Sequence, residues 1–231
     1  MKSLLPILAL CALPLAAQEP VMTTLQITVD FVETTPAIAT EILHGEKLPT
    51  SSLEWHDTLK RLLKDGESKL AATLNLTTKS GQRATAESVK ERIYATEYNV
   101  PVGRAKHAPA VPAGLSGVDV PIPTAFEMRP VGARFEVDPV LGPDGKSIDL
   151  NIAPEFIIDL GNEPQLSLPT DGVERELIVM PKFYTMKIQT ATAVTDGGSA
   201  LLGVLLPPAG NEGPDGEKRV LCFVTARIVK G

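Results

Sequence analysis

Three histidines, two cysteines and 28 carboxylates are among the groups in this 231-residue chain able to ligate a metal, attack a carbonyl or relay a proton. His44, His56 and His107 lie far apart, none with a second ligand at an i+2 or i+4 spacing, so no zinc or iron pattern is present. Each reads as a surface residue. Cys222 sits between Leu221 and Phe223 and reads as a small buried strand residue. Cys11 lies inside an apolar run and follows Leu10, where lipid attachment requires a small residue. No Gly-Xaa-Ser-Xaa-Gly elbow, phosphate-binding loop or dinucleotide fingerprint occurs, and the glycine pairs fall in predicted hairpin turns rather than between a strand and a helix. The Asp-Gly turns at 144–145 and 215–216 lack the spaced oxygen ligands of a calcium loop. The sequence therefore nominates no catalytic residue, no metal and no cofactor, and its expectation is a protein that is not an enzyme.

A chain without site chemistry acts through its surfaces, which its elements position. With 22 basic against 28 acidic residues the net charge is 22 − 28 = −6, and no Lys/Arg run exceeds two residues. That excludes the basic surface needed to neutralise phosphates, so nucleic acid is not an expected partner. A hydrophobic share of 43% supports a core, while 20 prolines and 18 glycines predict many turns. Residues 1–17 carry Lys2, an apolar run from Leu4 to Leu15, then Ala16-Ala17, which is the order of a secretory signal peptide and is too short to span a bilayer. The expectation is export, with a single domain over residues 18–231.

Leu25, Ile27, Val29 and Phe31 alternate with polar residues and predict a half-buried strand. Ser51 with Glu54 forms a capping signal, and Trp55, Leu59, Leu62 and Leu63 recur at helical spacing. This is the one amphipathic helix predicted, over about residues 52–65, with Trp55 as its core anchor. Alternation resumes from Leu70 to Leu76 and ends in a turn at Gly81. Residues 83–98 fit a helix or a long strand equally. Residues 99–130, rich in proline, read as a loop. Ala133, Phe135 and Val137, the turn Gly142-Pro143-Asp144-Gly145, and Ile148, Leu150 and Ile152 predict a hairpin. One alternating run follows from Tyr184 to Val194, closed at Gly197, and then Ala200 to Leu206. The last strand, Arg219 to Val229, is apolar on both faces and should be central. The fold class is α+β, mainly β and mostly antiparallel. Gly81, Gly132, Gly142, Gly145, Gly197 and Gly203 are expected at turns or close backbone approaches.

Several segments, in order, resemble the C-terminal secretin domain of type II/III secretion and type IV pilus outer-membrane channels. The strand Leu25 to Glu33 resembles that domain's opening strand, and the passage from Trp55 through Ser80-Gly81-Gln82 its helix, strand and turn. Phe126 to Pro139, with Val131-Gly132 before a strand, Gly142 to Glu155, Asp196 to Gly203 and Leu221 to Val229 resemble the later strands. The resemblance selects a strand for residues 83–98. It implies a non-enzymatic envelope protein, in the periplasm or peripheral to the outer membrane of a diderm bacterium. The implied partners are envelope secretion or pilus proteins, a secretin, or itself as a homo-oligomer. Pro207 to Lys218 is short and polar where the family carries an apolar lip, and no periplasmic ring modules follow the signal segment, so a cut-down relative is expected. An accessory component, a minimal self-assembling channel subunit and a secreted β-sandwich hydrolase are the three readings, in that order.

Overall fold

The computed structural model describes residues 23–66, 68–99, 120–170, 173–208 and 218–229. The segment expected to be a signal peptide, Cys11, His107, most of the proline-rich stretch and the turn expected at 211–216 lie outside the described residues. The alternating run at the start is β1 (Thr24–Thr34), whose Leu25, Ile27, Val29 and Phe31 are all 0% exposed. β1 pairs on one side with β2 (Lys69–Lys79) and on the other with β9 (Arg219–Val229), which also pairs with β8 (Ser199–Leu205). The resulting four-stranded sheet has the order β2-β1-β9-β8. β9 is central, and its two apolar faces enter two different cores: Val220, Cys222, Val224 and Ala226 one, Leu221 and Phe223 the other.

The second core lies under two helices. α2 (Ser52–Lys64) is the predicted one: Ser51 Oγ accepts from Glu54 N, and the Glu54 carboxylate accepts from Thr50 N at 2.7 Å. Leu59 and Leu62 bury against Val32, Leu221 and Phe223. The expectation of a single helix is corrected by α1 (Pro36–His44), capped by Thr35 with Pro36 in the first turn, which buries Ala39 and Ile42. Its nine residues are too short a run for a helical period to stand out, although a capping Thr before Pro is a start signal.

The first core is closed by a second, longer sheet of β3 (Ala84–Asn99), β4 (Ile122–Leu141), β5 (Ser147–Thr170), β6 (Val173–Lys187) and β7 (Thr190–Thr195). Phe135, Val137, Ile148, Leu150 and Ile152 pack there onto the first sheet, giving three layers of helices, short sheet and long sheet. The fold is α+β, mainly antiparallel β. Residues 84–99 are a strand. The loop expected over 99–130 is corrected at both ends, since Asn99 belongs to β3 and Ile122 to Pro130 belong to β4. Pro123 and Pro130 are tolerated because β4 has β5 beside it only from Gly132 onward, so their missing N–H groups leave no second ladder broken.

The run expected from Tyr184 to Val194 is two strands, β6 and β7, on the same edge of β5. The register is kept across the gap, with Glu155 opposite Lys187 and Ile152 opposite Thr190. Pro154 lies between them; it accepts from Ile188 N at 3.0 Å but has no N–H to return.

The β4–β5 hairpin turns where sequence places it. Asp144 Oδ1 accepts from Lys146 N, Ser147 N and Ser147 Oγ at 3.0, 2.8 and 2.7 Å, which holds its carboxyl down at about 2. A depressed carboxyl adds stability above its ordinary value of 3.8 and loses it as pH falls toward about 2. Asp144→Ala should therefore lower the melting temperature by a few degrees at neutral pH. The difference from wild type should shrink below pH 4 and vanish near pH 2, which parallel thermal melts would check.

Candidate functional site

The long sheet divides beyond its packed base. Backbone pairing of β4 with β5 ends at Gly132 opposite Ile157. Past that point β3 and β4 form one two-stranded arm, and β5 and β6 another. The outer strand of each arm, β3 over 16 residues and β6 over 15, is paired on a single side along its whole length.

Side chains bridge the arms where the ladder does not. Arg92 Nη2 donates to Asn162 Oδ1 at 2.8 Å, and Arg92 Nε is 3.6 Å from Asp159 Oδ2. The Arg129 guanidinium lies 4.9 Å from the centre of the Phe183 ring and donates to Thr185 Oγ1 at 3.3 Å. Tyr94 packs on Phe183 with centroids 5.8 Å apart and donates to Glu127 at 3.0 Å, which raises its hydroxyl above the ordinary value. These eight positions are not singled out by sequence, because charged, polar and aromatic residues on separate strands become neighbours only once the registers are known.

The opposite face of the β3–β4 arm is apolar and open. Ile93 pairs across strands with Met128 and Ala95 with Phe126. Ile93, Met128 and Phe126 are 64%, 61% and 61% exposed.

The structure scatters the residues expected at turns. Gly81, Gly145 and Gly197 have φ of 79°, 66° and 76°. Gly132 lies inside β4 at φ 133°, with Ser88 of β3 against it. Gly142 faces the Ser147 hydroxyl, and Gly203 lies so that a Cβ would meet Ile188 Cδ1 at 3.0 Å. Trp55 is half-buried and packs on Phe223 at 6.2 Å.

His44 is exposed, whereas the surface reading of His56 is corrected. His56 Nδ1 lies 2.9 Å from Ser199 Oγ, which lies 2.7 Å from Thr225 Oγ1. A histidine beside a serine is the start of a nucleophile arrangement, but Ser199 is 0% exposed beneath α2 and the adjoining strands, so no carbonyl can reach its hydroxyl in this conformation. Cys222 is buried in the first core, which pushes its thiol up and away from thiolate reactivity. The groove between α1 and α2 mixes Glu41, Glu46, Lys47 and Arg61 with Ile42 and Pro49. Among the described residues no three His, Cys, Asp or Glu converge as metal ligands, and no helix is long and apolar enough to cross a membrane. What the geometry defines is a β scaffold with two projecting hairpins.

No protein-family profile and no curated protein matches this chain. Solved structures do. Over 91% of its length the chain aligns with 66% of InvG, the secretin of the Salmonella SPI-1 type III secretion injectisome, at 15% identity and a TM-score of 0.46. It aligns over 91% with 62% of PilQ, the V. cholerae type IV competence pilus secretin, at 15% identity and 0.44. It aligns over 90% with 67% of the type II secretin GspD of enteropathogenic Escherichia coli, at 14% identity and 0.41. The chain spans under two thirds of the InvG and PilQ chains that it matches.

Proposed function

We propose that this protein is a non-enzymatic, secretin-like structural component of a diderm envelope, exported by its first 17 residues, which joins a type II/III secretion or type IV pilus apparatus by extending a β-sheet. The observation that carries this reading is the pair of outer strands, β3 and β6. In an antiparallel order β3-β4-β5-β6 these two run in opposite directions. Setting β6 of one copy beside β3 of the next therefore continues the antiparallel ladder, and repeating that contact by rotation closes a ring. Charge agrees with such a contact. β3 carries Glu87, Glu91 and Glu97 against Lys90 and Arg92, and β6 carries Arg175, Lys182 and Lys187 against Glu174 and Glu176. A free edge of this length is a template for another strand, whether from a copy or from a partner protein.

The channel-subunit form of the reading is favoured by the open face of Ile93, Phe126 and Met128, since a barrel wall in lipid needs an outward apolar band. It requires heat-resistant, detergent-stable multimers in the outer-membrane fraction, and recovery of all the protein in the soluble periplasmic extract would dismiss it.

The general reading is tested with cysteines, since Cys222 is buried and leaves the surface clean. Lys90→Cys is combined in turn with Glu174→Cys, Glu176→Cys and Lys182→Cys in the mature chain. Oxidation is expected to give ladders of linked multimers for at least one pair, alone or with a secretin from the same organism. Strict monomers by light scattering, with no linked species at any pair and no co-elution with that secretin, would overturn it.

A further inference from the structure

We infer that the two hairpin arms of a single copy are clamped on each other through Arg92, Arg129 and Phe183, and that this clamp is an autoinhibitory contact, one that rests on the sheet extension proposed above and must open before it. In the strand order β3-β4-β5-β6, a wall of repeated copies holds β3 and β6 of one copy three strand spacings apart, about 14 Å. Here Cα atoms of β3 and β6 approach within 8 Å, and the Tyr94 ring of β3 rests on the Phe183 ring of β6 with centroids 5.8 Å apart. The long sheet is therefore folded over on itself beyond its base. The arms must part before β3 and β6 take neighbours on opposite sides.

The contacts that close the arms come from one face of each. On the β3–β4 arm Arg92 stands opposite Arg129 and Tyr94 opposite Glu127; on the β5–β6 arm Asp159 stands opposite Phe183. Arg92 reaches Asn162 and Asp159, while Arg129 reaches the Phe183 ring and Thr185. Opening costs more than these contacts, because Arg92 and Arg129 are like charges paired directly across two strands and lose the Asp159 carboxylate when the arms part. The clamp is nevertheless reversible in its construction. No backbone ladder joins β4 to β5 past Gly132, and β5 carries a bulge between Asp159 and Asn162 with Gly161 at φ 88° and open space around it. Arg92 Nε is buried without a hydrogen bond, 3.6 Å from Asp159 Oδ2, so charge alone holds that end of the pair. Closure thus depends on a few side chains, and a neighbouring strand gains a whole ladder by displacing them.

The test uses the mature chain, with nuclear Overhauser contacts between the Tyr94 and Phe183 rings as the measure of closure and light scattering over a dilution series, alone or with a secretin from the same organism, as the measure of assembly. The ring contacts are expected in the free chain. Asp159→Asn keeps an oxygen for Gly161 N but removes the charge, and Phe183→Leu removes the ring that Tyr94 and Arg129 rest on. Each should lower the concentration for half-assembly roughly two- to fivefold, since apparent affinity rises with the open fraction. Tyr94→Phe breaks a bond to Glu127 inside its own arm and should leave that concentration unchanged. A Tyr94→Cys/Phe183→Cys chain bridged by a cleavable dimaleimide should stay monomeric until the bridge is cut, and recovery on cutting separates a block from misfolding. Absent ring contacts in the free chain, unaltered assembly in both Asp159→Asn and Phe183→Leu, or assembly of the bridged chain would each overturn the clamp and leave sheet extension standing. Failure of every chain, wild type included, to form multimers or join the secretin would overturn the proposed function and the clamp with it.

Discussion

Gly132→Ala should be among the most damaging single-methyl additions to this protein, costing about 3 kcal/mol or more and lowering the melting temperature by roughly 6–12 °C. Two costs combine there. The residue sits at φ 133°, a region that side chains other than glycine's rarely adopt. An added Cβ would also run into the carbonyl oxygen of Ser88, with Val89 Cα at 3.1 Å, and both are backbone atoms of the paired strand that cannot rotate aside. Relief requires β3 and β4 to separate at the position where β4 also parts from β5. The base of the arm should therefore loosen along with the fold. Gly145→Ala is the comparison. It has a positive φ of 66° with open space around it, so it carries the conformational cost alone, about 1–2 kcal/mol. Thermal melts of the two variants decide the matter: equal losses would mean that the Ser88 contact does not constrain β4.

Elements that bury one face wrote themselves into the sequence, and elements that depend on a distant partner did not. Leu25 to Phe31 alternate because one side of β1 lies in the core, and β9 is apolar throughout because helices cover one side and the long sheet the other. The hairpin about Asp144 was legible because turn chemistry is local, contained within residues 142–147. The gap between β6 and β7 was hidden by its own regularity, since the alternation runs through residues 188–189 unbroken and what interrupts pairing is Pro154 on the neighbouring strand. Pro123 and Pro130 misled for a related reason. Proline argues against a strand paired on both sides, and β4 is paired on one side at those positions.

The candidate site was the least legible part. Arg92 and Asp159, or Tyr94 and Phe183, meet across two arms whose registers contain bulges, at Ala95/Glu97 and at Asp159/Asn162. A bulge shifts which side chains share a face, so a strict two-residue period read through it pairs the wrong residues. Nothing near His56 in sequence marks it as other than a surface residue, since its partner Ser199 lies 143 residues away.

Phe223→Ala is expected to cost about 3–5 kcal/mol, the range for emptying an aromatic site in a packed core. The residue is 0% exposed and stands in the second core with Val32, Leu59, Leu62 and Leu221, where it supports Trp55. Cys222, one residue earlier, points into the other core, and Cys222→Ala removes a single sulfur, so it should cost no more than about 1 kcal/mol. The two variants also differ in kind. Loss of the Phe223 ring empties the space under α2, so Trp55 emission should move to the red and near-ultraviolet dichroism should fall at temperatures where the sheet signal is still full. Loss of the Cys222 sulfur should leave Trp55 unchanged, because the strand's backbone lies between the two sites. Denaturant melts followed by Trp55 emission and by far-ultraviolet dichroism separate these outcomes. A Phe223→Ala protein melting within about 1 kcal/mol of wild type, with Trp55 unmoved, would mean that α2 does not rest on β9.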